Sequence, residues 1–331
     1  MSLLDDYQVI CTVGNAKNAG KTTVLNYLIN QYQNKKVGIS SIGLDGEKID
    51  QITFLPKPRI YVWPQMLVAT ALECLKECEA AYELISTTNI VTALGPIVLI
   101  KITKAGPCLV GGPSTVQSMQ LLIEELKKHS CEKILLDGAF SRTTLAQISE
   151  ATIFCVGASY SYQLDKLVAH TKNTVRLFQL PPYTGPVDLA GQNEILLIDD
   201  NNEFLSLKTS TTLDCGAEII AQISPEIRSV FIPKAVSSSF LQAFIDQRKR
   251  LNCDLIITSP THLMIDERLL RQLFRLKQKL YVLQPINLVA LTFNPFSPTG
   301  NRFSLAAFRE QLSDDFSLPI YDVLEKSEKY E

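Results

Sequence analysis

The segment VGNAKNAGKTT, residues 13–23, decides the fold of this chain. It follows the apolar run VICTV at residues 9–13, which predicts a β-strand, and it leads into residues 20–33, where apolar side chains recur on one helical face. Gly-Lys-Thr at the start of a helix, directly after a buried strand, is typical of a phosphate-binding loop. The sequence therefore predicts a P-loop that binds a nucleoside triphosphate.

Within this loop each residue type has a physical role. Lys21 is expected to reach the β- and γ-phosphate oxygens and to act in catalysis, and the Thr22 hydroxyl to ligate Mg²⁺. Backbone N–H groups of residues 18–23 should point at the phosphates, with the positive end of the helix dipole behind them. The predicted cofactor-binding residues are Gly14, Asn15, Ala16, Lys17, Asn18, Ala19, Gly20, Lys21, Thr22 and Thr23.

The loop departs from the GxxxxGK-Ser/Thr pattern at its first glycine. Asn15 occupies that position, and Gly14 stands one residue early. Because Asn tolerates positive φ better than most residues, we expect Asn15 to close the loop with little strain. Lys17 is not assigned the intermonomer role of the KGGxGKT class, since Ala16 holds the corresponding position. The competing interpretation is a plain glycine-containing turn between strand and helix.

Asp137 ends the apolar run KILLD, residues 133–137. A buried strand beside the first one would deliver this carboxylate to the metal, which is the Walker B pattern. The alternative is an aspartate that only ends a strand before glycine. Arg142 either meets a phosphate or pairs with a surface carboxylate.

Asp45 and Glu47 follow a second predicted strand, residues 37–44. P-loop proteins commonly place there the residue that handles water, metal or acceptor, so both are candidate catalytic carboxylates, with a solvated turn as the alternative. Lys57 is a further candidate substrate contact, although such a lysine is more often exposed.

The alternation of apolar runs and helical segments predicts an α/β fold, a P-loop NTPase-like mostly parallel sheet flanked by helices, with a second α/β region. The Pro-rich stretch PPYTGP, residues 181–186, separates a nucleotide-binding domain at 1–182 from residues 187–331, a second domain or a continuation of the sheet that binds a partner. Five more elements are expected: a helix over 67–86, paired strands at 97–102 and 106–110, a helix opened by Ser114 with Gln117, and a strand-like run at 280–292.

Composition excludes several function classes. A net charge of −2 over 331 residues offers no long-range attraction to nucleic acid or anionic lipid. The eight cysteines form no CxxC pair and no zinc spacing, and most are predicted to be small core residues in a reducing compartment. With no long apolar run and no basic leader, the sequence predicts a cytoplasmic protein that does not enter a membrane.

Five segments together resemble the P-loop subunit of the reactivating factor for lysine 5,6-aminomutase: GNAKNAGKTT, SIGLDGE, KPRI, LLDGAFSR and NPFSPTG. The likeness covers most of the chain, although only the P-loop is a specific motif. It implies an ATPase that helps to exchange damaged cobalamin on an adenosylcobalamin-dependent aminomutase, with the aminomutase and a second, MutS-like ATPase subunit as partners. On this resemblance Lys21, Thr22 and Asp137 hold Mg-nucleotide, and the second half contacts protein.

Two other functions remain open at the level of sequence. One is an ATP-dependent small-molecule kinase or ligase resembling dethiobiotin synthetase, in which Asp45, Glu47 and Lys57 line the acceptor pocket. The other is a scaffold that binds nucleotide without hydrolysing it, which the Asn15 departure leaves open. The expected cofactors are ATP, with GTP not excluded, and Mg²⁺, and turnover by a hydrolase of this kind should be slow or dependent on a partner.

Overall fold

The computed structural model describes residues 2–42, 59–138, 146, 148–312 and 316–322. The chain divides into two compact units. Unit 1 comprises residues 1–171 and 287–331, and unit 2 comprises residues 172–286.

The strands are β1 (Val9–Gly14), β2 (Val37–Ser41), β3 (Ile60–Val62), β4 (Leu67–Ala71), β5 (Ala81–Thr92), β6 (Gly95–Lys104), β7 (Gly106–Cys108), β8 (Lys133–Asp137), β9 (Ala151–Gly157), β10 (Leu196–Asp199), β11 (Phe204–Ser206), β12 (Ile227–Ile232), β13 (Val236–Ser237), β14 (Asp254–Ile257), β15 (Leu263–Met264), β16 (Leu280–Val282), β17 (Leu288–Asn294) and β18 (Ile320–Tyr321). The helices are α1 (Lys21–Gln31), α2 (Val116–Lys128), α3 (Leu164–Phe178), α4 (Gly216–Gln222), α5 (Ser238–Asp246), α6 (Arg248–Leu251), α7 (Glu267–Arg275) and α8 (Leu305–Leu312).

Unit 1 is built on a nine-stranded sheet in the order β18-β17-β9-β1-β8-β2-β4-β6-β5. Neighbours from β18 to β4 run parallel, whereas β4, β6 and β5 pair antiparallel at one edge. The mixed α/β architecture with a large, mostly parallel sheet agrees with the predicted fold class. Because parallel strands end at the same edge, the residues after β1, β2, β8, β9 and β17 are brought together there.

Helix α1 covers one face of this sheet. Its buried residues recur at helical spacing, and they join the apolar side chains of β1 and β2 in one core. Val24, Leu25, Leu28 and Ile29 form the buried stripe, as the sequence predicted.

A buried lysine anchors the amino-terminal segment to the sheet. Lys133, at the start of β8, is only 2% exposed, and its Nζ lies 5.0 Å from the centre of the Tyr32 ring. The ammonium donates to three main-chain carbonyls, which satisfies the charge away from water. These acceptors are the carbonyls of Leu4, Asp5 and Tyr7, at 2.9, 2.7 and 2.5 Å.

Unit 2 has its own five-stranded sheet in the order β11-β10-β12-β14-β16. Strands β12, β14 and β16 are parallel, and β10 pairs antiparallel with β11 and β12. Residues of α4, α5 and α7 pack with apolar strand residues in one cluster, so this unit has an independent core.

The predicted helix over residues 67–86 is wrong. The chain forms β4, then a short 3₁₀ helix at Leu72–Glu77, then β5. Alanine, leucine and glutamate in this stretch favour a helix locally, but residues 67–71 are all buried and pair with both β2 and β6. Sheet pairing between distant segments therefore overrides the local propensity.

The strands near 97–102 and 106–110 exist, but they do not pair with each other. Strand β6 pairs with β4 and β5, and β7 pairs with β3. Similarly, α2 is capped by Thr115 rather than Ser114, since the Thr115 hydroxyl accepts from the N–H of Ser118 at 3.2 Å.

The predicted boundary between 1–182 and 187–331 differs from the division into units. Residues 280–292 are not one strand: β16 belongs to unit 2, and β17 returns to the sheet of unit 1 beside β9. The periodicity of this apolar run does not reveal the break, because both strands are buried.

In the described ranges, no helix combines the length and the apolar character that crossing a bilayer requires.

Candidate functional site

The loop that joins β1 to α1 lies at the carboxyl edge of the sheet in unit 1. Gly20 precedes α1 with φ +93°, and Asn18 has φ +59°. Both values lie in the left-handed region, which glycine and asparagine accept with least strain. Asn15 does not adopt positive φ, so the expected reason for asparagine at that position is wrong.

The first turn of α1 presents open main-chain donors. No side chain caps this helix end, and its first internal bond is from the N–H of Val24 to the carbonyl of Gly20 at 3.0 Å. Within the described part of the chain, no acceptor is bonded to the N–H groups of Gly20, Lys21, Thr22 or Thr23. Such a helix end attracts an anion, because the donors and the helix dipole point the same way.

Lys21 folds back over the loop. A Cβ atom added to Gly14 would lie 3.0 Å from Lys21 Cγ and 3.1 Å from Lys21 Cδ. Gly14 therefore leaves the space that the lysine stem occupies, and it supplies the close approach although it stands one residue before the expected position.

Two side-chain hydrogen bonds tie the loop to the end of one neighbouring strand, β9. Asn15 is 2% exposed, and its Oδ1 accepts from the N–H of Gly157, at the end of β9, at 3.0 Å. The Ser159 hydroxyl donates to the carbonyl of Lys17 at 2.7 Å. These bonds explain Asn15 as a tether rather than as a substitute for glycine.

A third tether comes from the far end of the sequence. Asn294, the last residue of β17, donates from Nδ2 to the carbonyl of Asn18 at 2.9 Å. In the sequence, NPFSPTG is only one of the segments that carry the family resemblance. The signal for its contact with the loop is a polar residue at the end of a buried strand, the same signal as at Asp137.

Glycine at position 157 permits the strand end to touch the loop. A Cβ atom there would lie 2.5 Å from Ala19 Cα and 3.1 Å from Ala19 Cβ. Contact with main chain at this distance requires the loop itself to move, so the close approach of β9 to the loop depends on Gly157.

Asp137 ends β8, the strand directly beside β1, in parallel register with Thr12. It is 2% exposed, and its Oδ1 accepts from the Thr12 hydroxyl at 3.4 Å. On its other side the carbonyl of Asp137 accepts from the N–H of Ile42 at 3.0 Å. The buried Asp137 carboxylate therefore lies on the strand next to β1, and its predicted role at a metal stays a prediction.

Burial and nearby charges, including that of Asp137, change the pKa of the Cys155 thiol beneath the loop. Burial raises the pKa of Cys155 to about 12, and its hydrogen bond with Thr292 and the charge of Lys21 oppose that rise. Cys155 is thus a protonated core residue.

A cavity with a volume of about 90 Å³ opens beside the first turn of α1. Gly20 and Thr23 line it on one side, and Asn294 and Asp322 on the other. The carboxyl-terminal segment therefore contributes a carboxylate next to the loop, which the sequence did not predict.

Four predicted residues lie outside the described ranges: Asp45, Glu47, Lys57 and Arg142. The last described residue before the first three is Ile42, which is bonded to Asp137.

Comparisons of the chain with protein-family models, with curated proteins and with solved structures found no match.

Among the residues that the structure describes, no group of three or more His, Cys, Asp or Glu is arranged to hold a metal ion. A magnesium ion in a triphosphate site needs few protein ligands, since phosphate oxygens and waters complete its octahedron. Thr22 at the start of α1 and Asp137 on the adjacent strand fit that smaller requirement.

Proposed function

We propose that this chain binds a magnesium-nucleoside triphosphate, with ATP expected and GTP the other candidate, at residues 14–23. The observation that supports it best is the open first turn of α1, where unbonded N–H groups lie beside the folded-back stem of Lys21. An anion with several acceptor oxygens suits this arrangement.

Each proposed contact follows from the chemistry of its residue. The Lys21 ammonium pairs with the β- and γ-phosphate oxygens, and the main-chain donors of residues 20–23 hold the remaining oxygens. The Thr22 hydroxyl and the Asp137 carboxylate hold Mg²⁺, which neutralises charge on the phosphates. The tether from Asn15 to Gly157 keeps the loop open without the usual first glycine.

For hydrolysis, we assign the handling of water to Asp45 or Glu47. Both residues follow β2, and the chain leaves that strand at Ile42, which is hydrogen-bonded to Asp137. A carboxylate within reach of the attacking water can act as general base or orient the water.

We further propose that the protein is an ATPase-type reactivating factor for an adenosylcobalamin-dependent aminomutase, with slow or partner-dependent turnover. This role is supported by the five segments that resemble the P-loop subunit of the lysine 5,6-aminomutase reactivating factor. The return of NPFSPTG to the loop, through Asn294, adds that two of these segments lie side by side in unit 1.

The binding site is tested by comparing two lysines of the same loop. Lys21→Ala should lower affinity for Mg-ATP about 10- to 100-fold, since hydrogen bonds to charged groups contribute about 1.5–3 kcal/mol. Lys17→Ala is the matched control, because Lys17 is exposed and is held through its carbonyl. Calorimetric titration measures both. Unchanged affinity in Lys21→Ala, or an equal loss in both variants, would contradict the assignment.

The biological role is tested by a pull-down from source-cell extract with and without ATP and Mg²⁺. Recovery of an aminomutase, and faster ADP release when it is added, are the expected results. If a soluble metabolite alone accelerates ADP release from the isolated protein, the reactivating role is wrong and a kinase or ligase is favoured.

A further inference from the structure

A pair of cysteines lies opposite each other in unit 1, in the layer that packs on α1. The N–H of Glu79 donates to the carbonyl of Pro107 at 2.9 Å. A Cβ atom on Gly106 would lie 2.9 Å from both N and Cα of Ala80. Together with the antiparallel pairing of β5 and β6, this register sets Cys78 opposite Cys108.

The backbone geometry is suitable for a disulfide. Directly opposite residues of antiparallel segments have Cα atoms about 4.5–5.5 Å apart, and disulfides span about 4.4–6.8 Å. Both cysteines are free, and each thiol donates to a main-chain carbonyl, Cys78 to Ala80 and Cys108 to Leu109, both at 3.6 Å. A disulfide therefore requires both side chains to rotate away from these carbonyls and toward each other.

The two thiols have different environments. The neighbouring Cys108 thiol, whose effect outweighs burial, lowers the pKa of Cys78 to about 7, and the Arg59 guanidinium acts in the same direction. Cys108 is 2% exposed, and the neighbouring Cys78 thiol and burial both raise its pKa. Cys78, which is half-buried, is thus the attacking thiolate, and Cys108 is the resolving thiol.

A third cysteine nearby is committed elsewhere. Cys74 is buried, and burial raises the pKa of its thiol more than the nearby Thr70 hydroxyl and the main chain of Gly111 lower it. Cys74 therefore serves as a matched control in the same cluster.

We propose that Cys78 and Cys108 form a reversible dithiol–disulfide site that exchanges with low-molecular-weight disulfides. The Cys78 thiolate attacks one sulfur of the external disulfide, and a thiolate leaves. The Cys108 thiol then gives its proton to that thiolate and attacks Cys78 in the mixed disulfide, which releases a second thiolate. This second thiolate takes up from solvent the proton that Cys78 lost when its thiolate formed. In total the protein loses two protons and two electrons, and the external disulfide becomes two thiols.

The site adjoins the P-loop helix. Arg59 forms an ion pair with Glu79 and donates to the carbonyl of Glu77 at 2.6 Å. Its own carbonyl accepts from Asn26 Nδ2, on α1, at 2.9 Å. The oxidised pair would therefore cross-link the segment before β5 to β7, next to the residue Arg59 that contacts α1.

The native full chain is equilibrated in glutathione redox buffers, the thiols are blocked with an alkylating agent, and peptides are analysed by mass spectrometry. We expect one disulfide, between Cys78 and Cys108, with a loss of 2 Da. Cys78→Ser should abolish it, and Cys74→Ser should leave it unchanged. A persistent glutathione adduct on Cys78, or equal oxidation of the other cysteines, would overturn the proposal.

A second measurement needs no variant. Phenylarsine oxide, which bridges two close thiols, should protect two cysteines of the wild-type protein at one equivalent, and peptide mapping should identify Cys78 and Cys108. Protection of any other pair, or of none, in a protein that retains its circular dichroism spectrum would refute the pairing.

Discussion

The contact between Gly157 and the loop that joins β1 to α1 permits a quantitative test of how this loop is held. In Gly157→Ala the new methyl group would start 2.5 Å from Ala19 Cα, whereas ordinary carbon contacts are about 3.5–4.0 Å. The loop must therefore shift by about 1 Å. Overpacking of this kind costs about 1–3 kcal/mol in stability.

The shift should also reduce nucleotide binding. Main-chain donors at Gly20–Thr23 work only at short range, so a displacement of about 1 Å should lower affinity for Mg-ATP at least tenfold. A fluorescent ATP analogue, titrated in the presence of Mg²⁺, measures the affinity, and thermal unfolding measures the stability.

Gly38→Ala is the matched control. A methyl group there would meet Cys131 Sγ at 3.0 Å and Leu126 Cδ2 at 3.1 Å, which are side-chain atoms away from the loop. It should lower the unfolding temperature and leave affinity unchanged. Wild-type affinity in Gly157→Ala, or the same loss of affinity in both variants, would refute the reasoning.

Three further predictions concern charges and tethers. Lys133→Met should lower the free energy of unfolding of unit 1 by about 3 kcal/mol in urea, since three main-chain carbonyls each lose a hydrogen bond. The control Lys36→Met, at an exposed lysine, should leave that free energy nearly unchanged. Equal effects of the two substitutions would contradict the anchoring role of Lys133. Asn294→Ala removes the bond to Asn18 and should weaken nucleotide binding severalfold with a loss of about 1 kcal/mol in stability; unchanged binding would contradict the tether. Burial lowers the pKa of His262, so its neutral form contributes stability above the unfolded pKa of about 6.5, and that stability is lost as pH falls. His262→Gln should weaken the dependence of unit 2's stability on pH between 7.5 and 5, measured by calorimetric scans. The same dependence in the variant and in the wild type would exclude this role of His262.

The parts of the fold that sequence predicted are those encoded locally. Strand β1, the start of α1 and the strand ending at Asp137 each combine a buried apolar run with a polar or glycine signal at its end. Residues 67–92 were misassigned because helix formers there are buried in a sheet whose partners lie far along the chain.

The candidate site likewise contains residues that a local motif suggests and residues that only the fold brings to the loop. The motif predicts roles for Lys21 and Thr22, because those roles depend on neighbours in sequence, and these roles stay predictions. The tether from Asn294 joins residues 276 positions apart, so no local pattern could assign it. The structure also changed the explanation for Asn15, whose amide bonds to Gly157 rather than easing a strained turn.

The return of β17 to the first sheet has a consequence for synthesis on the ribosome. All of unit 2 is translated between β9 and its neighbour β17, a delay on the order of ten seconds at bacterial elongation rates. Throughout that interval one edge of the nascent β9 has no partner strand, and the loop between β1 and α1 lacks its bond from Asn294. A chain paused after residue 286 should therefore be partially folded and prone to aggregation, with this loop among the last parts to reach their final contacts.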